Sequence, residues 1–367
     1  MGKIGCAINQ KLLDSIKDNV FIEKNLSLNS EDFHFSGSFD SESMNKLIEA
    51  LKHNHSIKEL DLTGNFVGDE GAKLLSSLTR VTSLNLTGCD IGPIGAKCLL
   101  EAKLEVLHLG ENPIGDEGCA HLSPNRHLVF LNLSACGLTE VGINSAMQNK
   151  NLALLDASNN SVTSYAILNF PYDSKLKLLD LSQNLLTDEN VKEISRLKYL
   201  ESLNLSSSRI TDKTTSVLAA MSCLKRLYLD HTRISAEGIK RLFESKSLEI
   251  LDVVFNQIKF SKADKLSKNT NLVNVNLAYN EINDEAEQVL ESLASIPTLK
   301  SLNLYRNQIG QRGEEILNQY RSSALRTLNL KDNPVYNESS NSSNFKRPSE
   351  EVAEQLPSKL PKLTTGN

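Results

Sequence analysis

No stretch of 18 apolar residues interrupts the 367-residue chain, and its first residues, Met1 to Leu13, lack an apolar core followed by a small-residue cleavage site. A membrane span and a secretory signal peptide are therefore not expected. There is no basic excess either: 40 Lys and Arg stand against 45 Asp and Glu, a net charge of −5. Nucleic-acid binding would call for a surplus of cations gathered on one face. Serine, histidine and aspartate are scattered, with no Gly-x-Ser-x-Gly elbow, and no glycine-rich loop of the phosphate-binding kind follows a strand. His53 and His55 stand close in sequence without further ligand types around them, so they read as exposed histidines. Neither catalysis, a cofactor nor a metal is expected. The six cysteines, Cys6, Cys89, Cys98, Cys119, Cys136 and Cys223, are few for the length. Four fall on positions that the repeat described next explains, so a disulfide framework is not expected and a reducing cytosol is the simpler compartment.

What the chain does have is a repeat. Ile57 to Val67, IKELDLTGNFV, returns until Leu325 to Val335, LRTLNLKDNPV. Apolar residues hold the first, fourth, sixth and eleventh positions, and Asn, Cys, Ser or Thr the ninth. The copies begin at 57, 81, 104, 128, 152, 176, 200, 224, 248, 272, 299 and 325, steps of 24 or 23 until the last two, which are 27 and 26. Alternation such as Leu60-Asp61-Leu62 predicts a short strand with one buried face. One strand cannot bury that face alone, so the copies stack, their strands pair in parallel and their leucines merge into one core. The ninth residue sits where the chain turns away from the strand, and an asparagine there can both donate to and accept from buried backbone.

The pattern Leu-x-x-Leu-x-Leu-x-x-Asn/Cys-x-Ile/Leu, followed by Gly-x-x-Gly-Ala as in Gly92 to Ala96, resembles the leucine-rich repeats of the ribonuclease-inhibitor type, although those usually run a few residues longer. The resemblance covers roughly residues 33–335. It implies an α/β fold: a right-handed, horseshoe-like solenoid with a concave parallel sheet and convex helices. Helical returns are expected at Asp69 to Leu78, Glu189 to Leu197 and Asp284 to Leu293, opened by acidic residues. Two returns, residues 163–175 and 259–271, look weaker.

Three divisions follow. Residues 1–32 form a capping segment, with apolar positions at helical spacing after residue 11. Residues 33–335 form the solenoid, with a degenerate first repeat beginning at Phe33 and Phe35. Residues 336–367, rich in Ser, Asn and Pro, form a disordered tail. At the other end, Met1 to Cys6 resembles a myristoylation start, but Cys6 stands where Ser or Thr is preferred, so a lipid anchor at Gly2 or Cys6 is not expected.

Function in a solenoid lies on the positions that the core leaves free, here the third, fifth, seventh and eighth. The third position is apolar in four consecutive copies, Val106, Phe130, Leu154 and Leu178, a column about 15 Å long at the strand spacing. His108 lies beside it. A second cluster comprises Arg226, Tyr228, His231, Ile250, Phe255, Tyr279, Tyr305 and Arg306, residue types in which interfaces concentrate their energy. Both are read as protein-binding, against the plainer reading that these side chains only pack on one another. The tail, with Glu350, Glu351 and Glu354 and then Leu363, resembles the C-terminal translocation signals of type IVB effectors of intracellular bacteria such as Legionella and Coxiella. That resemblance implies a non-enzymatic effector, delivered into the host cytoplasm, that binds a host protein. An adaptor recruiting a host ubiquitin ligase is the alternative.

Overall fold

A computed structural model describes residues 10–19, 23–28, 41–163, 168–171 and 173–335. Thirteen three-residue strands pair in chain order into a single parallel sheet, from Asn25–Ser27 to Thr327–Asn329. The register never slips: the fourth-position leucines face one another throughout, Leu60 with Leu84, Leu155 with Leu179, Leu302 with Leu328. Each strand but the last buries its central residue, a leucine except at Val275, and these side chains join the apolar residues of the sixth and eleventh positions in one continuous core behind the sheet, with Leu328 of the last strand partly buried against it.

The first strand corrects the expected boundary. Asn25–Ser27 pairs with Glu59–Asp61, so the sheet starts inside the segment read as a cap, and Leu26 occupies the fourth position of a copy that precedes Ile57. Spacing concealed it, because this copy runs 34 residues from Leu26 to Leu60. The cap is the shorter helix Gln10–Lys17, which buries Leu13 and Ile16 against the helix Ser41–His53. Phe33 and Phe35, the Met1 to Cys6 start and the tail after Val335 lie outside the described residues.

Asparagine at the ninth position is the fastener between copies. The Asn112 amide nitrogen donates to Leu86 O of the preceding copy at 2.7 Å and to Leu109 O and Gly110 O of its own at 3.0 Å. Its carbonyl oxygen accepts from Cys89 N and Ile91 N, each at 2.9 Å. Asn160, Asn280 and Asn333 repeat the arrangement. Where the position is cysteine, one weak donor remains: Cys89 Sγ reaches Leu62 O at 3.1 Å and Cys136 Sγ reaches Leu109 O at 3.0 Å.

A second fastener joins the convex side. Helical returns include Gly68–Leu75, Pro93–Leu99, Gly115–Leu122, Glu140–Met147, Asp188–Ile194 and Ala236–Leu242. The acidic residues that open them do more than favour their own helix. Asp69 Oδ1 accepts from Gly92 N at 2.7 Å and Gly95 N at 2.9 Å, capping the helix of the next copy. Asp116 does the same for Thr139 N and Gly142 N, and Asp284 for Gly310 N and Gly313 N. This explains the glycine pattern: a Cβ on Gly95 would lie 2.5 Å from the Asp69 carboxylate, and one on Gly313 2.6 Å from that of Asp284. The motif keeps room for a neighbour's cap.

The two weak returns carry no helix among their described residues. A phenylalanine fills the core in each, Phe170 and Phe260, both buried.

Asn112→Ala would strand the buried amides of Cys89 and Ile91, and should cost roughly 2–4 kcal/mol in a denaturant titration. A loss below about 0.5 kcal/mol would contradict the fastener. The five described cysteines are free, and burial pushes the thiols of Cys89, Cys119 and Cys136 up to about 12. A thiol reagent at pH 8 should label the exposed Cys223 in the native protein and reach those three only on unfolding.

Candidate functional site: the concave face

The strand positions that point away from the core divide into structural and free ones. The fifth-position Asp and Asn residues bind their own copy two residues on. Asp61 Oδ1 accepts from Thr63 N at 3.0 Å and Thr63 Oγ1 at 2.6 Å, and Asn132 Oδ1 from Ser134 N and Oγ, both at 2.8 Å. This ladder closes the turn after most strands. It also links copies, through Asn204 Nδ2 to Asp180 Oδ2 at 2.8 Å.

The apolar column at the third position is assembled as expected, with Val106 beside Phe130, Phe130 beside Leu154 and Leu154 beside Leu178. It is less open than the sequence implies. Phe130 and Leu178 are each only 4 % exposed, while Val106 and Leu154 are half-buried. Side chains in direct register cover one another, and the His108 ring lies 4.7 Å from that of Phe130, tilted by 45°. Burial pushes His108 below the usual imidazole range, against the opposing pull of the Asp61 carboxylate. For Phe130 and Leu178, packing along the sheet is the role observed, and Val106 and Leu154 carry what the column offers to solvent.

The second cluster has an order that the sequence did not disclose. In all twelve copies the eighth residue adopts the left-handed conformation, φ from 49 to 74°. Gly64 and Gly88 do so without strain, but the later copies place large side chains there: His231 (φ 51°), Phe255 (55°), Tyr279 (54°) and Arg306 (49°). Left-handed backbone carries non-glycine residues at a cost of about 1 kcal/mol or more each. The rings then stack along the solenoid. His231 and Phe255 lie 4.5 Å apart and Phe255 and Tyr279 4.0 Å apart, nearly parallel, while Tyr305 meets Tyr279 edge-on at 5.2 Å. The Arg306 guanidinium ends the row, 5.3 Å from the Tyr279 ring, and is held by Asp332 Oδ2 at 2.9 Å, which also accepts the Tyr305 hydroxyl at 2.9 Å. Phe255 remains 43 % exposed. Arg226, Tyr228 and Ile250 flank the row half-buried on the strands, and burial pushes the Tyr228 phenol up.

Sequence reasoning missed Asp252 beneath this row. Its copy has Val254 where six copies have Ser or Thr, so Asp252 Oδ1 is buried without a donor, and Val254 N turns to Asp230 Oδ1 at 3.3 Å. Burial, reinforced by the Asp230 carboxyl beside it and offset by the Asn276 amide at 3.1 Å, pushes Asp252 up to about 8. The valine at a hydroxyl position was the available signal.

Among the described residues there is no group of three side chains able to hold a metal, and no helix long and apolar enough to cross a membrane. The concave sheet, the fastened turns and the convex returns define a repeat solenoid. By sequence, one leucine-rich-repeat family matches residues 174–234 and another matches residues 53–76, 78–100, 102–123 and 268–286. The chain is a leucine-rich-repeat protein. Among solved structures, an internalin from Listeria monocytogenes superimposes with a TM-score of 0.53 at 20 % identity, over 87 % of this chain and 88 % of that one. A leucine-rich-repeat protein of Leptospira interrogans gives 0.48 at 19 % identity, over 91 % and 95 %. Likeness at this identity speaks to the fold alone. No curated protein matches the sequence.

A carboxyl whose folded pKa is raised favours the protonated folded state, so its contribution to stability falls as pH rises from the unfolded value near 4 through about 8. Asp252→Asn keeps the side chain that the following copy uses at this position, Asn276, and removes the cost. It should raise stability at pH 8.5 by roughly 1–3 kcal/mol and leave it nearly unchanged at pH 4.5. Equal melting shifts at both pH values would contradict the assignment.

Proposed function

We propose that the chain is a non-enzymatic interaction module that holds a partner protein against its concave face. The row His231, Phe255, Tyr279 and Arg306 carries this reading. Four successive copies set large side chains at a turn whose left-handed backbone is common to all twelve, and three of these are rings that stack into one row with Phe255 43 % exposed, the residue types in which interfaces concentrate their energy. Tyr228, Ile250 and Tyr305 extend the row onto the sheet, and Val106 and Leu154 supply a second apolar contact on the same face. The helical returns support the ribonuclease-inhibitor type of repeat. The resemblance of the tail to type IVB translocation signals makes the chain an effector in this reading and a host-cell protein the partner to seek.

The test compares the intact chain with a variant carrying Leu154→Glu, Tyr228→Ala, Phe255→Asn and Tyr279→Asn as baits in host-cell lysate. Asparagine is at home in the left-handed conformation, so both baits should melt alike. Truncating central aromatic anchors typically costs roughly 2 kcal/mol apiece, so the captured protein should be lost from the variant. A partner retained equally by both baits would move binding off the concave face.

A further inference from the structure

The net charge of −5 conceals a division of charge across the solenoid. At the rim where the strands begin, the two residues before each first position and the one after it include a Lys or Arg in eleven of the twelve copies, among them Lys58, Arg80, Lys103, Arg126, Lys198 and Arg326. At those positions twelve cations stand against three carboxylates, Glu105, Glu201 and Glu249, and Asp173, just outside them, adds a fourth beside Lys150. All twelve except Lys58 are exposed, and among the described residues Lys150, Lys177 and Lys225 are those held in ion pairs. The opposite rim, where the returns begin, carries acidic pairs such as Asp69 with Glu70, Asp116 with Glu117 and Asp188 with Glu189.

We propose that the strand-start rim docks on an anionic lipid surface. Neighbouring copies stand about 4.8 Å apart in the sheet, well within a screening length of about 10 Å, so the potentials of their cations add along the whole rim. The acidic rim opposite makes the molecule a dipole that turns its basic edge toward a negative surface. Lysine outnumbers arginine nine to three, and lysine is a hydrated point charge that engages headgroup phosphates without fixed geometry. A nucleic-acid strand would call for stacking rings between the cations, but Tyr199 is the one Phe, Tyr or Trp at these positions. The cations follow an open rim rather than a groove. Across the copies that begin at 224, 248, 272 and 299 the rim dips into a depression of about 460 Å³, where the ammonium groups of Lys225 and Lys246 and the hydroxyls of Ser222, Thr270 and Thr298 stand beside one carboxylate, Glu249.

The experiment is co-sedimentation of the full chain with vesicles of phosphatidylcholine alone or with about a third phosphatidylserine. The chain should bind the anionic vesicles at about 50 mM salt, ignore the neutral ones, and lose at least about tenfold in affinity at about 300 mM. Replacing Arg126, Lys175, Lys198 and Lys246 by Ser should weaken binding by about 100-fold or more. The same four-charge loss off the rim, at Lys97, Lys192, Lys213 and Lys265, should change it less than about threefold. Failure to bind anionic vesicles at low salt, or equal losses in both variants, would overturn the proposal. Capture of a single-stranded oligonucleotide in preference to the vesicles would assign the rim to nucleic acid instead.

Discussion

The structure depends on one transaction, repeated at most of the ninth-position asparagines, among them Asn112, Asn160 and Asn280. A strand three residues long has few hydrogen bonds of its own, and the turn that follows it is buried, so its amides and carbonyls must find partners without water. Asn112 answers five such groups at once, on two copies. The aspartates that open the helices repeat the logic on the outside, each capping the helix of the next copy. Stability is therefore shared between neighbours rather than owned by any copy, the quasi-one-dimensional behaviour of stacked repeats.

This explains what could be read from the sequence. A constraint met by one residue type at one position recurs in the chain, so the strand positions and the ninth-position ladder were visible in Leu and Asn spacing, and the two weaker returns in Pro171 and in the sparse apolar residues of 259–271. Whatever depends on a neighbour was not. The stacking of His231, Phe255 and Tyr279 arises only when their copies lie in register, and nothing in a linear pattern marks the eighth residue as left-handed once Gly64 and Gly88 give way to larger side chains. The same neighbour effect closed Phe130 and Leu178, which alternation alone presents as open. The first strand escaped because its copy departs from the period.

The two faces of the molecule answer to different physics. On the concave side, apolar and aromatic side chains stand over a polar floor whose Asp and Asn residues mostly hold turns, so what that face presents is shape and apolar area. Along the rim, cations are spread one per copy and act through a summed field that is sensitive to salt. A total charge averages such an arrangement away, which is why composition alone read the chain as indifferent to anionic partners.

The unequal steps of the last copies carry a consequence for how such a chain can change. The strands of copies 248, 272, 299 and 325 stay in exact register although 24, 27 and 26 residues separate them. All of the surplus is absorbed by the returns, outside the sheet. Insertions and deletions on the outer side thus leave the order of concave side chains intact, and substitutions at free strand positions leave the returns intact. The inner surface and the outer girth of the molecule can drift as independent variables.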